Sequence, residues 1–343
     1  MRRSSALLGL LPLLVALATT QPVAGEAAVG LVASALDETP RAGRTQFVLL
    51  GFDATPPEER PVDRTGFHYI YEALNRERPA GAPRNAFTLF ISTGNFQFAP
   101  GARNLGSEER PFEGLLPRNQ PVIRYARTLR YIRARAANVR DMAALGVEIG
   151  SHAVRHAHGL RWSEAEWRVE LADHQRISDL LRFPRPLGFR APFLEYNDGM
   201  YAALAAHGAR YDASQPGGRS WPTRHPSGIW QFSVPTVPVP GGGRALFFDD
   251  NLRTVFGGMA RARGLSGRAA EDHMDSLYVD AAMAEFQQRY SGERAPLLVS
   301  GHGNFRKGIL RFMRRVCELP DVRCTTFREA TDYLDAHPEL AGR

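Results

Sequence analysis

The sequence predicts an α/β fold built from parallel β–α units in a single domain. Short apolar runs alternate with longer amphipathic stretches, and several of those runs end in polar residues of catalytic type. The 343-residue chain, 43% hydrophobic and 23% charged, has the balance of a protein with one large core. This composition excludes a disordered tail, a collagen-like fibre and a coiled coil. Length alone would allow two domains, but α/β barrels of this size are often single, and neither a repeat nor an obvious linker breaks the chain.

The strand candidates are Gln46–Phe52, Ala86–Ile91, Val147–Ile149, Leu187–Arg190 and Pro296–Ser300, short apolar runs suited to burial in a parallel sheet. Between them the pattern predicts a helix from about Val122 to Leu145, closed by Gly146. Ser163 and Glu166 form a capping box that opens a helix to about Leu181. Further helices are expected over Asp198–His207, Met274–Tyr290 and Thr326–Ala336. The Gly/Pro-rich stretch Pro235–Gly243 reads as an internal loop, because strand-like residues resume at Ala245.

The amino terminus and the cysteines point to a compartment. Met1 to Gly25 reads as a secretory signal peptide, with Arg2 and Arg3 at its start, an apolar centre from Ala6 to Ala18, and Val23, Ala24 and Gly25 before Glu26. The apolar centre contains Pro12 and is shorter than the ~20 residues that span a bilayer, and no later stretch is long and apolar enough. The expectation is therefore an exported protein, periplasmic or secreted, whose residues 26–343 form the domain. Cys317 and Cys324, the only cysteines, are expected to form a disulfide, with Pro320 turning the chain back between them. The formal net charge of +7 comes from scattered arginines without a dense basic run interleaved with aromatics. No nucleic-acid partner is expected, and at most a weak attraction to acidic polymers.

Catalytic groups in such folds collect where parallel strands end. Asp53, His152, Arg190 and His302 each close or follow a strand candidate. Any one of them alone reads as a turn or cap residue, but four together predict one shared mouth. His152 and His156, four residues apart, would lie on one side of a helical turn and suit a divalent metal. His156 and His158 offer instead the two-residue spacing of amidohydrolase-type centres, though those usually sit on a first strand. Other signals fall away. Ser300 lacks the glycine two residues earlier that a nucleophile elbow requires, since Leu298 occupies that place. Gly241–Gly243 is not followed by a phosphate-loop Lys-Ser/Thr. Asp249-Asp250-Asn251 reads as a turn or cap after a strand, Trp167 as core, and Trp221, between Ser220 and Pro222, as a groove residue.

Gly51-Phe52-Asp53-Ala54-Thr55-Pro56, then Gly146–Gly150 leading into His152 and His156, then Arg190-Ala191-Pro192-Phe193, then Asp212 and His302 occur in that order. In this the chain resembles the polysaccharide deacetylase (NodB-homology) family of carbohydrate esterases. The second motif matches closely, the third well, and the others in part. The resemblance implies a distorted parallel (β/α) barrel and metal-dependent removal of acetyl groups from sugars, with zinc the expected ion and an acetylated polysaccharide the partner. By position it assigns Asp53 as catalytic base, His152 and His156 as metal ligands, Arg190 as the residue that orients the base, and His302 as general acid. Phe193 stands where a tyrosine is usual, at the position whose backbone N–H helps hold the oxyanion. Asp212 and Trp221 fall in the region that supports the acid and lines the groove.

The chain also departs from the family. Its first motif normally carries two adjacent aspartates, the second a metal ligand, and that second place is Ala54. Three outcomes stay open: Asp53 moves onto the metal, another residue such as Asp63 substitutes, or the metal binds weakly or not at all. The last would make the protein a catalytically silent glycan-binding or envelope-scaffold protein. Ser300-Gly301-His302-Gly303-Asn304 likewise replaces the usual apolar residues before the final histidine.

Overall fold

The computed structural model of the chain describes residues 45–54, 66–114 and 123–343, so the expected signal peptide and Asp63 lie outside the described residues. Strand β1 (Gln46–Ala54) is followed by helix α1 (Gly66–Asn75), β2 (Thr88–Ile91), α2 (Leu129–Ala144), β3 (Glu148–Ser151), α3 (Glu164–Leu181), β4 (Gly188–Phe189) and α4 (Asp198–Ala206). Then come β5 (Tyr211–Gly217), β6 (Thr223–Arg224), β7 (Trp230–Pro238), β8 (Arg244–Leu246), α5 (Asp249–Ala262) and α6 (Gly267–Ser291). The chain ends with β9 (Leu297–Gly301), α7 (Arg306–Cys317), β10 (Val322–Thr325) and α8 (Phe327–Ala336).

Strands β1, β2, β3, β4, β5 and β7 pair in that order and in parallel, and β1 also pairs with β9 and β10 in parallel. Strand β8 folds back antiparallel on β7, and a single bridge from Phe248 to Ser300 joins this hairpin to β9. The sheet thus curls into the distorted parallel barrel expected, with a two-residue β4 and a one-bridge closure. Alternation along β1 divides the core. Val48, Leu50 and Phe52 belong to the cluster that packs against the helices, whereas Phe47 and Leu49 belong to the second cluster, with Tyr211, Phe232, Leu298 and Phe327. Gly51 and Asp53 continue the second face. The run is apolar throughout because both faces are buried.

The helices follow their sequence signals, with two adjustments. α2 begins only after Thr128, whose side chain accepts from the Tyr131 N–H, so the expected start at Val122 is too early. Residues 123–126 are instead tied as loop to the segment after β2, through Ala126 N–H to the Gln97 carbonyl and Arg124 N–H to Asn95 Oδ1. α6 extends seven residues before Met274. α3 carries the Ser163/Glu166 capping box, and Cys317 and Cys324 are disulfide-bonded, linking the end of α7 to β10. Trp167 is fully buried core. No helix among the described residues is long and apolar enough to cross a membrane.

His174 fixes α3 beneath the site. It is buried, its Nε2 faces the Ile91 carbonyl at 3.1 Å, and its Nδ1 accepts from Ser178 Oγ at 3.4 Å. Burial pulls its pKa down to about 4, against the opposing pull of the Ile91 hydrogen bond and of Asp173. The folded state holds His174 neutral, so its contribution is complete above the unfolded value near 6.5 and is lost as pH falls from there towards about 4. Urea unfolding at pH 7 and pH 4.5 should show His174→Gln losing less stability on acidification than the wild type, by about 2 kcal/mol. Equal losses in the two proteins would show that His174 does not contribute to the acid limb.

Candidate active site

Arg190 is the hub. It lies fully buried just after β4, with its guanidinium 4.4 Å over the Phe90 ring and within 6 Å of Phe248 and Phe327. Its Nε donates to the Ala213 carbonyl, Nη1 to Asp53 Oδ1 at 3.0 Å, and Nη2 to Ser300 Oγ at 3.1 Å. These bonds link the ends of β1, β5 and β9 in one stroke. Gly51 makes the space: a Cβ there would stand 3.1 Å from Arg190 Nη2 and 3.0 Å from the Phe327 ring. Ser300, buried and turned to the guanidinium, is occupied as a hydrogen-bond partner rather than offered as a nucleophile.

Burial acts to raise the Asp53 pKa, but the neighbouring His152 imidazole, the positive charges of Arg190 and His302, and the Arg190 hydrogen bond outweigh it and hold the carboxyl below its ordinary value. Asp53 is an ionised carboxylate with one oxygen bound and the other, Oδ2, facing His152 Nε2 at 3.7 Å.

His152 and His156 come together, with ring centroids 4.9 Å apart, although the backbone differs from expectation. The residues after β3 form an irregular loop and not a helical turn, with Ala153 at φ 58° and His156 at φ 51°. Left-handed backbone at non-glycine residues stores strain, and here it aims the second imidazole back at the first. His152 Nδ1 donates to the Arg190 carbonyl at 2.7 Å, which fixes the tautomer and leaves Nε2 as a buried lone pair without a hydrogen-bond partner. Nδ1 of His156 is likewise buried without a partner. Burial lowers the pKa of both rings, that of His156 to about 4 with the neighbouring His152 adding to the effect. Two neutral imidazoles beside an ionised carboxylate are donors of the type a divalent cation takes, although among the described residues only Asp249, Asp250 and His302 bring three donor atoms within 4.8 Å of one another.

His302, after β9, is held by residues read from the sequence as a cap. Asp249 Oδ2 accepts the His302 backbone N–H at 2.7 Å, and its Oδ1 lies 3.2 Å from His302 Nδ1. Asp250 Oδ2 is 3.1 Å from the same nitrogen. Burial would lower the His302 pKa, but the Asp249 hydrogen bond and the charges of Asp53, Asp249 and Asp250 raise it to about 9. Asp249, Asp250 and His302 are a set of three donors within 4.8 Å among the described residues. With His302 carrying its proton, that imidazolium already supplies the positive charge the two carboxylates need. Asp249 heads α5, yet it is fully buried, which an ordinary cap is not. Gly301 lets the start of α5 approach β9, since a Cβ there would meet Asp249 Cγ at 2.3 Å.

Two expected site residues lie elsewhere. Asp212 is fully buried and bonded to Tyr201 and Ser214, whose hydroxyl accepts the Ala191 N–H. It props the strand end behind Arg190 and neither lines a groove nor touches His302, the support of which falls to Asp249 and Asp250. Trp221 is buried, stacks on Tyr333 and donates to the Glu293 carbonyl, because its ring completes the core between β6 and α8. Phe193 does stand at the rim, 46% exposed at φ 58°. His158 is turned outward, its side chain 73% exposed and bonded to Glu195, so it does not pair with His156 as an amidohydrolase spacing would require.

The model of the polysaccharide deacetylase family matches residues 113–211, the segment holding the second and third motifs. No sequence among curated proteins matches the chain. Among solved structures, a putative polysaccharide deacetylase from Mycobacterium smegmatis superposes with a TM-score of 0.55 at 15% identity, over 89% of this chain and 95% of that one. A peptidoglycan deacetylase, PdaC, from Bacillus subtilis gives 0.45 at 12% identity, over 87% and 96%. A family 4 carbohydrate esterase from Streptomyces lividans gives 0.41 at 13%, over 82% and 92%. The first of these shows the fold. The resemblance to polysaccharide deacetylases read from the motifs agrees with the family match over residues 113–211.

The His302 ion pair can be read directly. In NMR titration of the histidine ring protons, His302 should titrate near 9, and Asp249→Asn should move it towards the ordinary 6.5. An unchanged midpoint in the variant would show that Asp249 does not set it.

Proposed function

We propose that this protein is an exported, metal-dependent hydrolase that removes acetyl groups from a polysaccharide, with residues 26–343 as its deacetylase-like domain. The observation that carries the reading is the convergence of an ionised Asp53, two neutral imidazoles and a protonated His302 at the ends of parallel strands, joined through Arg190. The family match and the chain's signal-peptide pattern support the substrate class and the export.

His152 and His156 would hold the divalent ion, zinc by their nitrogen donors, and when bound it supplies polarisation of the acetyl carbonyl and a lowered pKa for water. The chain's own groups do the rest. Asp53 Oδ2, the oxygen free of Arg190, accepts the proton of the attacking water, and Arg190 keeps it ionised for that task. His302, protonated at neutral pH, donates to the departing sugar nitrogen or oxygen. The Phe193 backbone N–H is assigned to the oxyanion on the family's pattern. Ala54 withholds the second carboxylate, so the ion is held more loosely than a three-ligand set would hold it.

Acetate release from acetylated oligosaccharides by the zinc-loaded protein is the test. Asp53→Asn and His152→Ala should each lower kcat/KM by about 100-fold or more. Activity should fall as pH rises through about 9, because His302 loses the proton it must donate, and Asp249→Asn should bring that limb to lower pH. A mild chelator should abolish release, and zinc should restore it. Glycan binding without acetate release from any acetylated oligosaccharide would favour the silent binding protein that Ala54 suggests.

A further inference from the structure

Beside the paired imidazoles the rim carries a flat aromatic surface that the reaction does not use. His158 stacks on Phe193 with ring centroids 4.0 Å apart and planes inclined by 13°, and the Phe193 ring meets His156 edge-on at 4.8 Å. Phe193 is a bulky apolar side chain left 46% exposed, on backbone held left-handed at two successive residues, Phe193 at φ 58° and Leu194 at φ 57°. A side chain of that kind in that conformation is costly twice over, in exposure and in strain. The His158 ring is pinned rather than free. Glu195 Oε1 accepts from its Nδ1 at 2.9 Å, and Oε2 accepts from the Leu160 N–H. Asn197 Nδ2 then donates to the carbonyls of Gly159, Leu160 and Trp162, so the loop under the ring is fastened from α4's cap.

We infer that the His158–Phe193 stack is a sugar-binding platform, on which a pyranose ring of the substrate chain lies with its C–H face against the outer face of His158. This deepens the proposed function and rests on it. The face offered is flat, largely solvent-exposed and preorganised, so little conformational entropy is lost on binding. Its position next to His156 puts the stacked unit beside the sugar whose acetyl group reaches the imidazole pair, so the platform selects for a chain over a single sugar. His158 acts as a specificity-determining residue by its π-face and not by metal binding or proton transfer. Four rings follow one another from His152 through His156 and Phe193 to His158, and the last is the most open to solvent, its side chain 73% exposed.

The test compares wild type, His158→Ala and His158→Phe on an acetylated hexasaccharide, with binding of the same oligosaccharide followed by calorimetry. His158→Ala should raise KM and Kd by about tenfold, the scale of one aromatic-face contact, with kcat falling less than about twofold. His158→Phe should recover most of the affinity, since it keeps the face and discards the nitrogens. Loss of kcat in His158→Ala that phenylalanine does not rescue would overturn the platform and favour a metal or proton-transfer role. Unchanged KM and Kd in His158→Ala would overturn it as well. Hexasaccharide binding that depends on an aromatic at position 158 without acetate release in the wild type would leave the platform standing and refute the hydrolase reading instead.

Discussion

The site depends on one buried charge. Arg190 has no solvent to accept its positive charge, and the barrel supplies a carboxylate, two carbonyls, a hydroxyl and the face of Phe90 in its place. Removing one partner of a buried ion pair costs roughly 3–5 kcal/mol because the other is left uncompensated, so Asp53 and Arg190 stand or fall together. The same residue also works through its backbone. Its carbonyl takes the Nδ1 proton of His152 and thereby decides which imidazole nitrogen keeps a lone pair. The orientation of Asp53 and the tautomer of His152 are therefore set by the two ends of a single residue.

Around that hub the protein separates two proton-carrying groups by environment alone. Asp53 is surrounded by positive charge and stays ionised despite its burial; His302, its side chain 40% exposed, is surrounded by negative charge and stays protonated. Each contributes to the other's shift, so the two groups are poised as a pair. The geometry behind this separation is closeness at glycine: Gly51 admits the guanidinium beside β1, and Gly301 admits the Asp249 carboxylate beside β9. A methyl group at either place would push apart the charges that do the tuning.

Much of this was legible in the sequence because it follows from periodicity. A two-sided apolar run marks a buried parallel strand, and a polar residue at its end marks the mouth, which located Asp53, His152, Arg190 and His302. What failed was whatever depended on long-range closure. Asp249 reads locally as a residue heading a helix, and only the bridge from Phe248 to Ser300 carries it beneath His302. Asp212 follows its motif by one β-strand, yet its carboxylate turns to Tyr201 and Ser214 because Arg190 is already neutralised by Asp53. Trp221 was read from its polar neighbours, which say nothing of the hydrophobic space beside Tyr333 that its ring fills. The His152 and His156 rings do come together, but through left-handed residues in a loop and not on the helical turn that their spacing suggested.

Ala54 concentrates the remaining constraint on the histidines. A divalent ion at this site adds charge beside Arg190 and protonated His302, both already positive, with Asp53 the near carboxylate to offset it. On the proposed function, such a balance would give little electrostatic help to binding, and an ion would depend on donor lone pairs whose direction is fixed in advance. The His152 ring is fixed through the Arg190 carbonyl, and the His156 ring sits on left-handed backbone against the Phe193 ring. On the proposed function, rigidity of the two imidazoles would stand in for the second carboxylate, with the left-handed backbone at Ala153, His156 and Phe193 helping to hold them.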